Sequence, residues 1–255
     1  MNILCIGDIV GTPGCEMVLS QLKFLKQDYD IDFVIANGEN AATGNGITEE
    51  KAEKLTDCGI DVITLGNHSF AKPDAGRLMD SGFPMIRPLN LPEGTPGKGC
   101  IVKECCGKRI AVINLLGRVY MNPVNSPFEA VTECLKSLKD NADIIIVDFH
   151  AEATSEKVAM GWYLDGKVSA VFGTHTHVQT ADERILPGGT AYMTDIGMTG
   201  PYNSVLGVDK DIAVNRFLTL MNRRFEVAQG NCQLNGILIK TEGLTTSSIT
   251  RLNIC

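Results

Sequence analysis

The stretch VFGTHTH, residues 171–177, poses the question from which the rest of the chain can be read. An apolar run with strand character begins near Val168, ends at Phe172, and gives way to two histidines one residue apart. In an extended backbone residues i and i+2 point the same way, roughly 7 Å apart. Two imidazoles placed like that at the end of a buried strand suit two neighbouring metal ions, one each, better than an ordinary core. The chain has only four histidines, so the positions of the other two decide the matter.

Outward from that run the pattern is strand followed by helix, repeated. Ile3–Val10 reads as a first strand, closed by a Gly11–Gly14 turn and an amphipathic helix to about Gln27, with Thr12 as N-cap and Pro13 at its first position. Asp32–Ala36 and Val62–Leu65 read as strands, each followed by a helix, Thr48–Cys58 and Lys72–Asp80. Gly99–Leu116 reads as a hairpin turning near Gly107, and Pro127–Asn141 as a helix. Ile144–Phe149 is the most strand-like run of all, and Ala191–Thr194 another short strand. Later the character changes: Asp209–Met221 looks helical, while Arg224–Val227, Ile237–Thr241 and Ser248–Asn253 look like antiparallel strands. Continuous apolar runs early and alternating ones late predict an α/β protein with a pair of mixed sheets and helices outside. No internal repeat or linker divides the 255 residues, so one domain is expected, with a small cap or loop insertion around 199–230.

Composition narrows the function classes. The net charge is −7 and basic residues occur only in short pairs such as Lys108–Arg109 and Arg223–Arg224, which argues against a partner of duplex nucleic acid. No apolar run approaches the roughly 20 residues that span a bilayer, and MNILCIGD enters a strand without a basic leader. A cytoplasmic protein with no membrane partner is expected. Nine cysteines, odd in number and without a CxxC pair, read as reduced thiols in a reducing compartment.

The polar residues at the strand ends form a set. Asp8 closes the first strand, Glu39 and Asn40 follow the second, Asn67 and His68 the third, His150 the run through Phe149, and His175 and His177 the run through Phe172. Five strands thus deliver metal-competent groups at their carboxyl ends, the edge where open α/β sheets assemble their sites. All four histidines belong to this set. Imidazole, carboxylate and amide donors without thiolate suit borderline metals such as manganese, iron and zinc. Two such ions about 3.5–4 Å apart can clamp a phosphoryl group, activate a hydroxide and stabilise in-line displacement.

This ordered set, Gly7-Asp8, Glu39-Asn40, Gly66-Asn67-His68, His150 and GTHTH ending at His177, resembles the calcineurin-like metallophosphoesterases. Within them it is similar to the YmdB-type bacterial 2′,3′-cyclic nucleotide phosphodiesterases, and TDIGMTGPY, residues 194–202, resembles that branch's late signature. Val10 stands where the wider superfamily has a histidine, and Glu39 where it has an aspartate; both departures resemble the YmdB-type pattern. The resemblance implies a metallophosphoesterase-type four-layer α/β/β/α sandwich and two divalent or trivalent transition-metal ions, iron or manganese ahead of zinc. It further implies that Asp8, Glu39, Asn40 and His177 hold one ion. Glu39 would bridge to a second, held by Asn67, His150 and His175. His68 is left as the catalytic group beside the leaving oxygen. A small phosphodiester or nucleotide substrate, short RNA ends and a homo-oligomeric state complete what it implies.

Several readings stay open. Asn40 joins the site only if the chain turns beside it, and otherwise caps a turn or supports a ligand. Asp195 either orients a ligand histidine or caps a turn. The Gly11–Gly14 turn either cradles phosphate or only permits tight geometry beside Asp8. The glycines after the first strand fail the G-x-G-x-x-G spacing, and neither a phosphate-binding G-x-x-x-x-G-K-[ST] loop nor a G-x-S-x-G elbow occurs. The alternative function is a regulatory RNA- or protein-binding module that keeps the metal fold with little turnover.

Overall fold

Alternation along single strands explains how the chain builds four layers. A computed structural model describes residues 1–255. Its strands are β1 (Asn2–Ile6), β2 (Asp8–Ile9), β3 (Phe33–Asn37), β4 (Val62–Thr64), β5 (Met85–Ile86), β6 (Cys100–Cys105) and β7 (Lys108–Leu116). They continue with β8 (Ile144–His150), β9 (Ala170–Thr174), β10 (Arg184–Ile185), β11 (Ala191–Met193), β12 (Met198–Pro201), β13 (Cys232–Glu242) and β14 (Thr245–Ile254). The helices are α1 (Gly11–Asp28), α2 (Glu49–Asp57), α3 (Asp74–Asp80), α4 (Pro127–Leu138), α5 (Thr154–Leu164) and α6 (Lys210–Thr219).

One sheet runs β2-β12-β13-β1-β3-β4-β5 with β14 beside β13; the other runs β10-β11-β9-β8-β7-β6. Within the first, β1, β3, β4 and β5 are parallel, and β13 and β14 add an antiparallel flank. Within the second, β7, β8, β9 and β11 are parallel, with antiparallel edges β6 and β10. Ile3, Cys5 and Ile35 point into the seam between the sheets, where they meet Ile144, Ile146 and Phe172. Their neighbours Leu4, Ile6 and Val34 point the other way, onto Val18, Leu22 and Leu55 of the helices. Ile145 and Val147 do the same on the second sheet, facing Val131 and Met160. The order is helix, sheet, sheet, helix: the expected α/β/β/α sandwich.

Some local expectations are corrected. The first strand is not continuous to Val10. A side chain at Gly7 would collide with the Gly197 carbonyl, and the chain leaves β1 there to pair Asp8 with Met198 as β2. Helix α1 starts at Gly11 with Val10 at the cap and no side-chain cap, so Thr12 is not the N-cap. The Val10 and Gly11 amides are met instead by the carbonyls of Thr199 and Asn40. Arg224–Val227 is not a strand; only one bridge, Val227 to Val208, forms there. All nine cysteines are free thiols. No helix is long and apolar enough to cross a membrane.

Because Phe172 is fully enclosed in the inter-sheet seam, Phe172→Ala is expected to lower the unfolding free energy by about 3–5 kcal/mol in urea titration. A loss below about 1 kcal/mol would mean that the seam does not behave as one packed core.

Candidate metal centre

The parallel strands of both sheets end at one edge, and that edge carries the site. Beneath it lies Asp148 on β8, fully buried. It accepts hydrogen bonds from Thr64 on β4, from Thr174 Oγ1 on β9 at 2.7 Å, and from Asn37 Nδ2 on β3 at 3.2 Å. Asp148 therefore ties the two sheets together at their carboxyl ends. Burial pushes its pKa up to about 6, against the lowering effect of His150 and the two threonine hydroxyls.

The next layer is the expected ligand set. Asp8 is fully buried; its Oδ2 accepts the His175 amide at 3.0 Å, and its Oδ1 has no hydrogen-bond partner. Glu39 sits past β3, where a turn closed by Ala41 N–H on the Gly38 carbonyl brings Glu39 and Asn40 into the same cavity. The chain thus turns beside Asn40 as its joining the site requires, and Asn40 Nδ2 lies 3.2 Å from Glu39 Oε1 and 3.3 Å from His177 Nε2. In this orientation the Asn40 amide donates; a half-turn of the amide would present its oxygen instead. Glu39 Oε2 accepts the His68 amide at 3.1 Å.

Each of these three histidines has its outer nitrogen fixed by a partner, and this sets its tautomer. Thr174 spends its hydroxyl proton on Asp148, so at 2.8 Å it accepts from His150 Nδ1. His175 Nε2 donates to Glu152 Oε2 at 3.0 Å. His177 Nδ1 donates to the Leu206 carbonyl at 3.0 Å. Neutral imidazoles held this way turn lone pairs inward from His150 Nε2, His175 Nδ1 and His177 Nε2. His150 Nε2 then faces Glu39 Oε1, Asn67 Oδ1 and His175 Nδ1, each at 3.0 Å. Four lone-pair-bearing atoms converge on one point, and Glu39, His150 and His175 are grouped closely enough to share an ion.

Electrostatics make the same demand. Burial would lower the pKa of His150, but Glu39, Asp8 and Asp148 outweigh it and push it up to about 9. Burial would raise Glu39, but His150 and the His68 amide hold it down at about 2. Burial, with His150 beside it, drives His175 down to about 3. The acids around His150 thus favour positive charge at this point of the cavity. The donors, imidazole and oxygen with no thiolate, fit transition-metal ions.

His177 Nε2 lies 3.8 Å from Asp8 Oδ1 and 3.3 Å from Asn40 Nδ2, and His150 Nδ1 lies 4.0 Å from the same Asp8 oxygen. The two GTHTH histidines do not reach these places as an extended pair: β9 stops at Thr174, and His175 and His177 take φ of +103° and +64°. Such backbone is costly for residues other than glycine and persists only where its surroundings impose it. Asp195 does so here. It is buried, accepts Thr176 N–H at 3.1 Å and Thr176 Oγ1 at 2.8 Å, and pairs with the buried Lys157 at 2.6 Å. Both readings left open for Asp195 apply: its Oδ2 orients the histidine loop through Thr176, and its Oδ1 caps a turn by accepting Gly197 N–H at 2.9 Å. The Gly11–Gly14 turn is spent on strand contacts, with a side chain at Gly14 excluded by the Thr199 carbonyl.

His68 stands apart from the converging atoms, half-buried in the cavity wall, its Nε2 3.2 Å from both Asn67 Nδ2 and Asn45 Nδ2. Asn45, Glu152, Asp148, Asn37 and Lys157 were not singled out from sequence. An acid inside IIIVDFH and a lysine inside the TSEKVAMGWYL helix were the available signals for two of them.

The YmdB-like protein family model matches residues 4–252. A 2′,3′-cyclic-nucleotide 2′-phosphodiesterase of Bacillus subtilis (strain 168) is 49% identical over 249 residues, 98% of this chain and 94% of that protein. A crystal structure of a hypothetical protein from Thermus thermophilus superposes with a TM-score of 0.94 at 41% identity, covering 99% of this chain and 98% of that one. That of a Mycoplasma pneumoniae phosphatase gives 0.93 at 36% identity, covering 100% and 93%.

Two outcomes test the construction of the centre. A side chain at Gly66 would press on Glu39 Oε2 and the His150 ring. Gly66→Ala is therefore expected to abolish most metal uptake, measured by elemental analysis, while far-ultraviolet circular dichroism stays native. Lys157→Met leaves Asp195 buried without its counter-charge, so unfolding should become easier by about 3–5 kcal/mol. A change under about 1 kcal/mol in urea titration would show that the pair does not hold the loop.

Proposed function

The chain belongs to the YmdB-like family, and from that premise we propose that it is a metal-dependent phosphodiesterase acting on small phosphodiesters, 2′,3′-cyclic nucleotides foremost. The observation that carries this reading is the convergence of Glu39 Oε1, Asn67 Oδ1 and His175 Nδ1 on His150 Nε2, with the unpartnered Asp8 Oδ1 beside them. That arrangement is stable only around positive charge.

In this reading Asp8, Asn40 and His177 hold one ion, Asn67, His150 and His175 a second, and Glu39 serves both. Two iron or manganese ions, with zinc the alternative, would neutralise the phosphoryl oxygens and make a water acidic enough to act as nucleophile at neutral pH. Only two carboxylates, Asp8 and Glu39, belong to this ligand set, so the loaded centre stays positive and attracts an anion despite the chain's net charge of −7. The water oxygen would form the new bond to phosphorus and release a proton to solvent, while the bond between phosphorus and the ribose oxygen would break. His68 gives its proton to the departing oxygen; Asn45 and Asn67 fix its ring, and its backbone amide is tied to Glu39. The whole chain acts as one such domain, with residues within 199–230 as a small cap over the cavity.

Neighbouring residues separate the roles. Asn67→Ala should lower both metal content and rate. His68→Ala should keep two ions per chain and still cut turnover by roughly 10²–10⁴-fold, the scale of losing a general acid. A nitrophenyl diester, whose leaving group needs no proton, should partly rescue His68→Ala. Loss of an ion in His68→Ala would make His68 a ligand. Binding of short RNA with no turnover of any diester by the fully metallated wild type would favour the regulatory module instead.

A further inference from the structure

The cavity above the centre has a mixed lining. It measures ≈ 390 Å³, and besides Glu39, Asn40, His68 and His175 it is lined by Val10, Leu206, Val208, Phe225 and Val227, an apolar wall that also carries Glu226. A phosphodiester group needs none of that apolar surface. Whatever carries the phosphate does.

The apolar wall is fastened to the site. The Leu206 carbonyl holds His177 Nδ1 at 3.0 Å. Residues 207–209 pair with 226–228: Asp209 N–H reaches the Glu226 carbonyl and Ala228 N–H the Gly207 carbonyl, both at 2.9 Å, around the Val208–Val227 bridge. Val227 packs against Gly11, three residues beyond Asp8. Phe225 lies just before this paired stretch, two residues ahead of Val227, and both line the cavity. Phe225 is 47% exposed. The Arg216 guanidinium of α6 lies 4.7 Å from its ring centroid and occupies part of its surroundings as a stacked cation.

We propose that Phe225, backed by Arg216, is the platform on which the base of a nucleotide substrate stacks, so that it sets the preference for nucleotides over other small phosphodiesters. This rests on the phosphodiesterase reading and adds to it the residue that recognises the organic part of the substrate. Stacking on an aromatic ring tolerates every base, because each base has a π face. Little discrimination among the four bases is therefore expected from this contact.

The test compares ratios, so that a general loss of activity cancels. For wild type, Phe225→Ala and Phe225→Trp, kcat/KM is measured with a 2′,3′-cyclic nucleotide and with glycerol 1,2-cyclic phosphate, which has the same ring and no base. In parallel, calorimetry gives Kd for a nucleoside 3′-monophosphate and for inorganic phosphate on the metallated proteins. Phe225→Ala should lower the nucleotide-to-glycerol ratio about tenfold, chiefly through KM, and the ratio of the two affinities by a similar factor. Phe225→Trp should restore both. Equal losses on both substrates and both ligands, or no loss on either, would overturn the platform. If wild type hydrolyses no cyclic nucleotide, the functional reading fails, and the affinity ratios alone still decide the platform.

Discussion

Asp148 is the carboxylate on which the site's geometry depends. It is buried where the two sheets meet, and Thr64 and Asn37 reach it from one sheet while Thr174 reaches it from the other. A buried acid is tolerated only when its oxygens are hydrogen-bonded, so the three donors have little freedom to move away. Each donor passes that order upward. Thr174, its proton committed below, fixes His150; Asn37 Oδ1 accepts the Glu39 amide at 3.1 Å. The apolar seam holds the two sheets face to face, and Asp148 ties their carboxyl ends and the aim of the first ligands to one group.

Above it the organisation is governed by charge. Three histidines have their outer nitrogens occupied by Thr174, Glu152 and Leu206, so their inner nitrogens face acids and one another. Burial opposes charge on His150, yet Glu39, Asp8 and Asp148 push its pKa up to about 9. A site whose side chains are already held by such partners reorganises little on binding a cation.

The remaining cost lies in backbone. His175 and His177 both occupy left-handed conformations, each worth on the order of 1–3 kcal/mol of strain. Thr176 between them is held by Asp195, which is held in turn by Lys157 from helix α5. A buried ion pair beneath the cavity therefore helps decide where two candidate ligands point. The apolar wall depends on the same loop, since His177 is its attachment through Leu206.

Periodicity and strand-end chemistry were enough to read an α/β protein with a pair of mixed sheets, most elements and the candidate set Asp8, Glu39, Asn40, Asn67, His68, His150, His175 and His177, all of which the fold brings to one edge, while the four-layer α/β/β/α order came from the family resemblance. That much is local: an apolar run followed by an imidazole or carboxylate states both its structure and its end. The break of the first strand at Gly7 was not legible, because it is imposed by Gly197, far along the chain. Nor was the true geometry of His175 and His177, whose spacing suggests an extended pair and whose loop is bent by Asp195. Asp148, Asn37 and Lys157 looked like stray polar residues in apolar elements, since their partners lie 26 to 111 positions away. The sequence by itself determined which chemical groups stand at the strand ends. Only the tertiary structure decided their tautomers, their convergence in one cavity and the presence of Phe225 in its lining, because each depends on partners brought together from distant parts of the chain.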